Sequence, residues 1–190
     1  MLVTFLKSFF AIFGVMDPMG NTPVFLTLTE KLDNATKRSL AFKAVIRAGI
    51  VLLIFVFLGN LILDFFHISM QSFRIAGGII LILIGLQILF GFHFGSAEIS
   101  ADDISVVPLA TPLIAGPGTI TAAVIFSKEY GYIFIVLSIL GNLFLSWLLF
   151  RYAHFVVKIL GKSGTLMFMK FMSLILVAIG VEFIRSSFGS

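Results

Sequence analysis

Apolar residues run along this chain in six long blocks, at about 2–29, 40–63, 70–92, 106–127, 131–153 and 165–186. The blocks are too long for strands and show no apolar-polar alternation, so each is expected to be a helix. Polar connections separate them, notably EKLDNATKR at 30–38, HFGSAEISADDIS at 93–105 and the HFVVKILGKSG region at 154–164. Roughly 20 apolar residues cross a hydrocarbon layer, where only helices or closed barrels satisfy their own backbone. The pattern predicts an all-α integral membrane protein, a single domain of six transmembrane helices over 1–190.

Composition agrees. The 190 residues are 59% hydrophobic and 12% charged, with a mean hydropathy of +1.15. A soluble domain carries roughly twice that charge. The absence of cysteine excludes disulfides and thiolate metal ligands. Asp17-Pro18 follows the first apolar run where a cleaved leader would have small residues, so that run is expected to stay in place.

The net charge of +4 does not point to nucleic acid, because the basic residues flank the apolar blocks instead of forming a patch. They report topology. Lys31, Lys37, Arg38, Lys43 and Arg47 surround the first connection; Arg151, Lys158, Lys162 and Lys170 surround the fifth. Only Lys7, Arg74, Lys128 and Arg185 fall on the other side. The positive-inside rule then places both termini outside the cytoplasm. Glu98, Asp102 and Asp103 in the third connection weigh little in that rule and read as a solvated loop. Tyr130 and Tyr132 at one end of the fifth block, with Trp147 and Tyr152 at the other, suit aromatic anchors at two interfaces.

Two blocks are interrupted. MDPMGNTPVF at 16–25 places Asp17, Pro18, Gly20, Asn21, Thr22 and Pro23 inside the first. TPLIAGPGTIT at 111–121 places Pro112, Gly116, Pro117, Gly118 and Thr119 in the fourth. Each opens a unit of three blocks, and the third and sixth blocks align as Ile84-Gly85-Leu86-Gln87 with Ile179-Gly180-Val181-Glu182. Three spans per unit is odd, so the second unit enters from the opposite side. The expectation is two inverted repeats, about 1–92 and 106–190, with helices 1 and 4 broken near mid-membrane. Breaks at matching positions of inverted halves point to a transporter's substrate site. A proline kink alone would not explain Asp17, Asn21 and Thr22 crowding one turn, since ionisable groups within a membrane are costly.

Thr22-Pro23 has the form of an N-cap followed by Pro at the first helical position, so a second half-helix is expected to start there. Gly116-Pro117-Gly118-Thr119 offers the same in the fourth block, with glycines that let a ligand approach the backbone. Two helix N-termini make a seat for a carboxylate without any Arg. Asp17 suits an ammonium group or a coupling cation. Together these describe a zwitterion, with Asp17, Gly20, Asn21, Thr22, Gly116, Gly118 and Thr119 as substrate-binding candidates and Pro18, Pro23, Pro112 and Pro117 as helix breakers.

DPMGNTP in the first block and PLATPLIAGPGTI in the fourth, with six spans in about 190 residues, make the whole chain resemble the MarC family of bacterial and archaeal membrane proteins. That family is also called the small neutral amino acid transporter family and is similar to LysE-type exporters. The resemblance implies a secondary transporter of glycine and alanine class amino acids in a prokaryotic plasma (inner) membrane, coupled to H+ or Na+. Two rivals stay open. One is a non-transporting assembly or lipid-handling factor, in which Asp17 serves packing. The other is a cation or drug efflux protein of the same architecture.

The remaining polar residues point elsewhere. Glu182 is a second ion-coupling candidate, although Arg185 at i+3 offers it a simple partner. Ser138, Asn142 and Ser146 form an i, i+4, i+8 stripe of the kind that packs helices. Gly77, Gly78 and Gly85 are read as close helix contacts. His67, His93 and His154 are scattered, with no catalytic motif near them, so no enzyme, metal site or cofactor is expected. The partners implied are a small neutral amino acid and membrane lipids, with homo-oligomers left open.

Overall fold

The computed structural model describes residues 1–29, 32–91 and 114–188, and every regular element among them is an α-helix. The first apolar block divides into α1 (Leu2–Met16) and α2 (Pro18–Leu28). α3 (Asn34–Phe65) opens where the Asp33 carboxylate accepts from Ala35 N and Thr36 N at 2.9 and 3.1 Å, satisfying amides that the first helical turn leaves free. α4 (Met70–Phe90) is capped by Ser69 and ends at Gly91, whose φ of 71° suits glycine. α5 (Pro117–Tyr130) turns at Gly131 into α6 (Tyr132–Arg151), and α7 (Ala153–Arg185) follows.

The chain is thus an all-helical integral membrane protein. Among the described residues five stretches are long and apolar enough to cross a membrane: Leu2–Leu26, Asn34–Phe65, Met70–Phe90, Tyr132–Arg151 and Ser163–Arg185. α5, at 14 residues, is too short alone. Residues 106–113 of the expected fourth span, with Thr111 and Pro112, lie outside the described residues, as do His93 and the acidic connection 93–105. The count of six spans therefore stays an expectation.

One connection differs from its reading. HFVVKILGKSG is helical up to Gly161, where φ 66° and ψ 170° turn the chain before the membrane-length stretch begins at Ser163. The segment mixes apolar residues with His154 and Lys158, the composition of a helix lying at a membrane surface.

Contacts between helices fix their directions. Ser8 Oγ and Ser138 Oγ share a 2.7 Å hydrogen bond, Asn142 Nδ2 donates to the Phe9 carbonyl at 3.1 Å, and Ser146 Oγ lies 3.8 Å from Met16 Sδ. α1 and α6 therefore run parallel, and α5 runs antiparallel to both. Asn60 Nδ2 donates to Tyr132 Oη at 2.8 Å, which sets the end of α3 beside the start of α6. At the opposite end Lys37, Arg38, Arg151 and His154 line one pocket, so the two most basic connections meet on one side.

α5 is the most enclosed helix, with Gly118, Thr119 and all residues from Thr121 to Ser127 buried. It packs on α1, α3, α4 and α6. Gly59 and Gly77 make room for it, because a Cβ at either would run into Val124 or Thr121 respectively.

α4 and α7 form the most extensive helix pair, and their contacts repeat. A Cβ on Gly78 would sit 2.5 Å from the Gly180 carbonyl oxygen, and one on Gly180 would sit 2.6 Å from that of Gly78. Gly85 would meet the Ser173 carbonyl at 2.9 Å and Val177 N at 3.2 Å, while Gly180 would meet Ile82 N at 3.1 Å. A shift of 95 residues, which carries Ile84 to Ile179, also carries 78 to 173, 82 to 177 and 85 to 180. It exchanges these contacts with one another. The pairing is antiparallel, since 78 faces 180 and 85 faces 173. A rotation that swaps two antiparallel helices has its axis perpendicular to them, hence in the membrane plane.

This crossing brings backbone against backbone, so a side chain there can be accommodated only by moving the helices apart. Gly78→Ala and Gly180→Ala are each expected to destabilise by about 1–3 kcal/mol. Gly164→Ala, whose Cβ meets nothing closer than Leu160 Cβ at 3.7 Å, is expected to be neutral. Thermal unfolding in detergent checks this, and equal midpoints for all three variants would refute the close crossing.

Candidate functional site

The first break is one residue wide. Asp17 adopts φ 43° and ψ 62°, the left-handed region in which Asp and Asn are over-represented among non-glycine residues. Helical bonding continues on either side: Asp17 N donates to the Phe13 carbonyl at 2.9 Å, and Asn21 N donates to the Asp17 carbonyl at 3.0 Å. Pro18 starts α2, where its missing N–H costs nothing.

The groups freed by the break are bonded again locally. Asp17 Oδ1 accepts from Gly20 N at 3.0 Å, so the carboxylate caps the N-terminus of α2. Asn21 Nδ2 donates to the Met16 carbonyl at 2.8 Å, closing the end of α1. Gly20 is required because a Cβ there would overlap the Asp17 carboxylate.

The second half-helix therefore begins five residues earlier than expected from Thr22-Pro23. The sequence holds two cap–proline pairs, Asp17-Pro18 and Thr22-Pro23, and the chain uses the first. Thr22 is no cap; its Oγ1 donates to the Pro18 carbonyl at 2.8 Å, and Pro23 lies inside α2.

The fourth block starts its helix in a matching way. α5 begins at Pro117 after Gly116, at φ −68° and ψ 167°, and Thr121 Oγ1 donates to the Pro117 carbonyl at 2.8 Å. Thr22 stands to Pro18 as Thr121 stands to Pro117. The difference lies one residue before each proline. Gly116 has no carboxylate, so the N-cap residue of α5 supplies no side-chain cap.

These two helix starts lie at similar depth. α1, with 15 residues, runs inward from the bundle end towards which α5, with 14, runs outward. Each rises roughly 20 Å at the standard helical rise. α1 packs directly on α5. Asp17, Gly20, Asn21 and Thr22 thus gather at one junction, and Gly116, Pro117, Gly118 and Thr119 form the start of α5, the helix on which α1 packs.

Not every candidate faces an open site. Gly118 points at α4, where a Cβ would lie 2.6 Å from Leu81 Cδ2, so its small size serves helix packing in this conformation. Thr119 is buried. Glu182 lies at the exposed end of α7, held by Arg185 through two hydrogen bonds of 3.0 Å, and is not brought to the break. Pro112 lies outside the described residues. The Ser138, Asn142 and Ser146 stripe packs against α1, as such stripes usually do. Its partner Ser8 was not singled out in the sequence, although a lone serine in an apolar run was the available signal. No group of three or more metal-ligating side chains occurs among the described residues.

Comparison with known proteins points one way. A family model described as MarC family integral membrane protein matches residues 2–188. A UPF0056 membrane protein of Methanocaldococcus jannaschii is 40% identical over 191 residues, covering 95% of this chain and 93% of its own length. One from Buchnera aphidicola subsp. Schizaphis graminum is 38% identical, covering 95% of this chain and 89% of its own. UPF0056 membrane protein YhcE of Escherichia coli strain K12 is 35% identical with the same coverage of 95% and 89%. No solved structure matches.

The capping geometry has a measurable consequence. Asp17→Asn keeps an acceptor oxygen and tolerates the left-handed conformation, whereas Asp17→Ala loses both. Asp17→Ala is expected to cost about 0.5–2 kcal/mol, as loss of an N-cap does, and Asp17→Asn clearly less. Denaturation of the purified variants tests the order; an alanine variant as stable as the asparagine variant would show that the carboxylate does not hold α2.

Proposed function

The chain belongs to the MarC family of integral membrane proteins, and from that premise we propose that it is a secondary transporter of small neutral amino acids, of the glycine and alanine class. The reading rests on one observation: two helix N-termini at similar depth, one capped by Asp17 and one whose N-cap residue, Gly116, has no side chain to cap it. A ligand carboxylate bound at the start of α5 would take there the place that Asp17 takes at the start of α2. Helix N-termini favour such anions through their free amides and positive dipole end. Asp17 keeps a second carboxylate oxygen that can receive the ligand ammonium. A small α-amino acid supplies both charges a few ångströms apart.

Transport then follows alternating access, with the inverted halves 1–92 and 106–190 exchanging conformations around this level. A proton or sodium ion is the coupling cation in this reading, with Asp17 as its acceptor. The protein resides in a prokaryotic plasma membrane, and both termini lie outside the cytoplasm because the first and fifth connections hold most of the Lys and Arg.

Glycine is expected to raise the unfolding temperature of the purified protein and to enter proteoliposomes under an imposed proton or sodium gradient. Acetate and methylamine each carry one of its two charges and should compete poorly. Asp17→Asn keeps the cap but removes the charge, so glycine affinity should fall about tenfold or more, as for a lost hydrogen bond to a charged group. The proposal fails if no small neutral amino acid binds or is taken up, or if Asp17→Asn binds glycine like the wild type.

A further inference from the structure

We propose that the buried seam between α1 and α6 is a hydrated path that carries protons to Asp17, with Asn142 holding its central water. For what the proton does at Asp17, this path rests on the transport reading above. Asn142 is fully buried, and its Oδ1 has no hydrogen-bond partner among the described residues. Turning the amide round does not cure this. Its Nδ2 donates to the carbonyls of Phe9 and Ser138 at 3.1 and 2.9 Å, and carbonyls accept only from the NH2 end. Whatever satisfies Oδ1 is therefore a donor that these helices do not supply. Buried polar groups left over in this way are met by ordered water.

The neighbouring hydroxyls are short of protons in the same way. Ser8 Oγ donates to the Phe5 carbonyl at 2.9 Å, so in its 2.7 Å bond with Ser138 the proton comes from Ser138. Ser146 Oγ donates to the Asn142 carbonyl at 2.8 Å. Each proton on the row is thus directed at an oxygen of the chain, and lone pairs of Ser138, Asn142 and Ser146 remain. All three residues are fully buried. A row that offers acceptors suits water or hydronium. Side chains at i and i+4 stand roughly 6 Å apart on a helix face, about the span of two hydrogen bonds through one water. Thr4, one turn before Ser8 and only partly buried, lies towards the end of the bundle where α1 begins. At the other end Ser146 Oγ lies 3.8 Å from Sδ of Met16, the residue before Asp17. Each water or hydroxyl takes one proton from the outer side and releases another inward, so the carboxylate of Asp17 gains a proton and nothing on the row is consumed.

The sequence has no cysteine, so a single introduced thiol can be labelled without background. Ser138→Cys, Asn142→Cys and Ser146→Cys are treated in proteoliposomes with a small water-soluble methanethiosulfonate, beside Ile139→Cys, equally buried but off the row. Such a reagent attacks the thiolate, which apolar surroundings suppress. The row positions are expected to react faster than Ile139→Cys by about tenfold or more, the effect of one pKa unit on the thiolate fraction. Asn142→Leu replaces the acceptor with an apolar side chain. It should abolish most glycine-driven proton entry, followed with an internal pH dye, while the glycine-induced rise in unfolding temperature stays. Asn142→Ser keeps an acceptor and should retain part of the proton entry. A row that labels no faster than Ile139→Cys overturns the path, as does wild-type proton entry in Asn142→Leu. Uptake driven by sodium without proton entry also overturns it and leaves the transport reading standing. Absence of glycine binding counts against transport alone, because labelling of the row decides the hydrated seam without any glycine.

Discussion

A helix can be interrupted inside a membrane only where the amides and carbonyls it releases are bonded again. Water is absent there, and each group left alone costs roughly 1–3 kcal/mol or more. In the first block this constraint accounts for an unusual cluster of residues. Asp17 bonds the free amide of Gly20, Asn21 bonds the free carbonyl of Met16, and Gly20 leaves space for the carboxylate. The polar face of α6 extends the same logic sideways, with Ser138 and Asn142 fixing α1 through Ser8 and the Phe9 carbonyl. The break is therefore held in place.

Once the first break is closed in this way, the two halves cease to be chemically equal. The fold repeats itself in the α4–α7 crossing and in the paired Thr–Pro hydrogen bonds, but Asp17 corresponds to Gly116. One helix start carries its own anion, and the N-cap of the other is a glycine with no side chain. The site proposed between them would be polar in a defined sense, negative on one side and amide-rich on the other. A symmetric scaffold with an asymmetric centre can bind a dipolar ligand in a single orientation, which two identical breaks would not do.

The long elements and the repeat were legible because each rests on a pattern spread over many residues. Block lengths gave the long helices among the described residues, and Ile84-Gly85 aligned with Ile179-Gly180 gave the shift that the structure repeats in its contacts. Short-range choices were less legible. Asp17-Pro18 and Thr22-Pro23 satisfy the same capping rule, and only the fold of the Asp17 side chain over Gly20 distinguishes them. The direction of Gly118 depends on where Leu81 of another helix lies. The helix before Gly161 looked like a connection because it is too short to span and too polar for a core.

α2 shows how these parts depend on one another. It has 11 residues with Pro23 among them, fewer than an isolated helix needs for stability in water, so its ends must be held by their surroundings. Its N-terminus carries the Asp17 carboxylate, which complements the positive end of the helix dipole. Its last turn approaches the pocket that collects Lys37, Arg38, Arg151 and His154, so positive charge gathers where the helix carbonyls end. The half-helix that presents Asp17 is thus anchored by opposite charges at its two ends, with one end at the break and the other at the membrane surface.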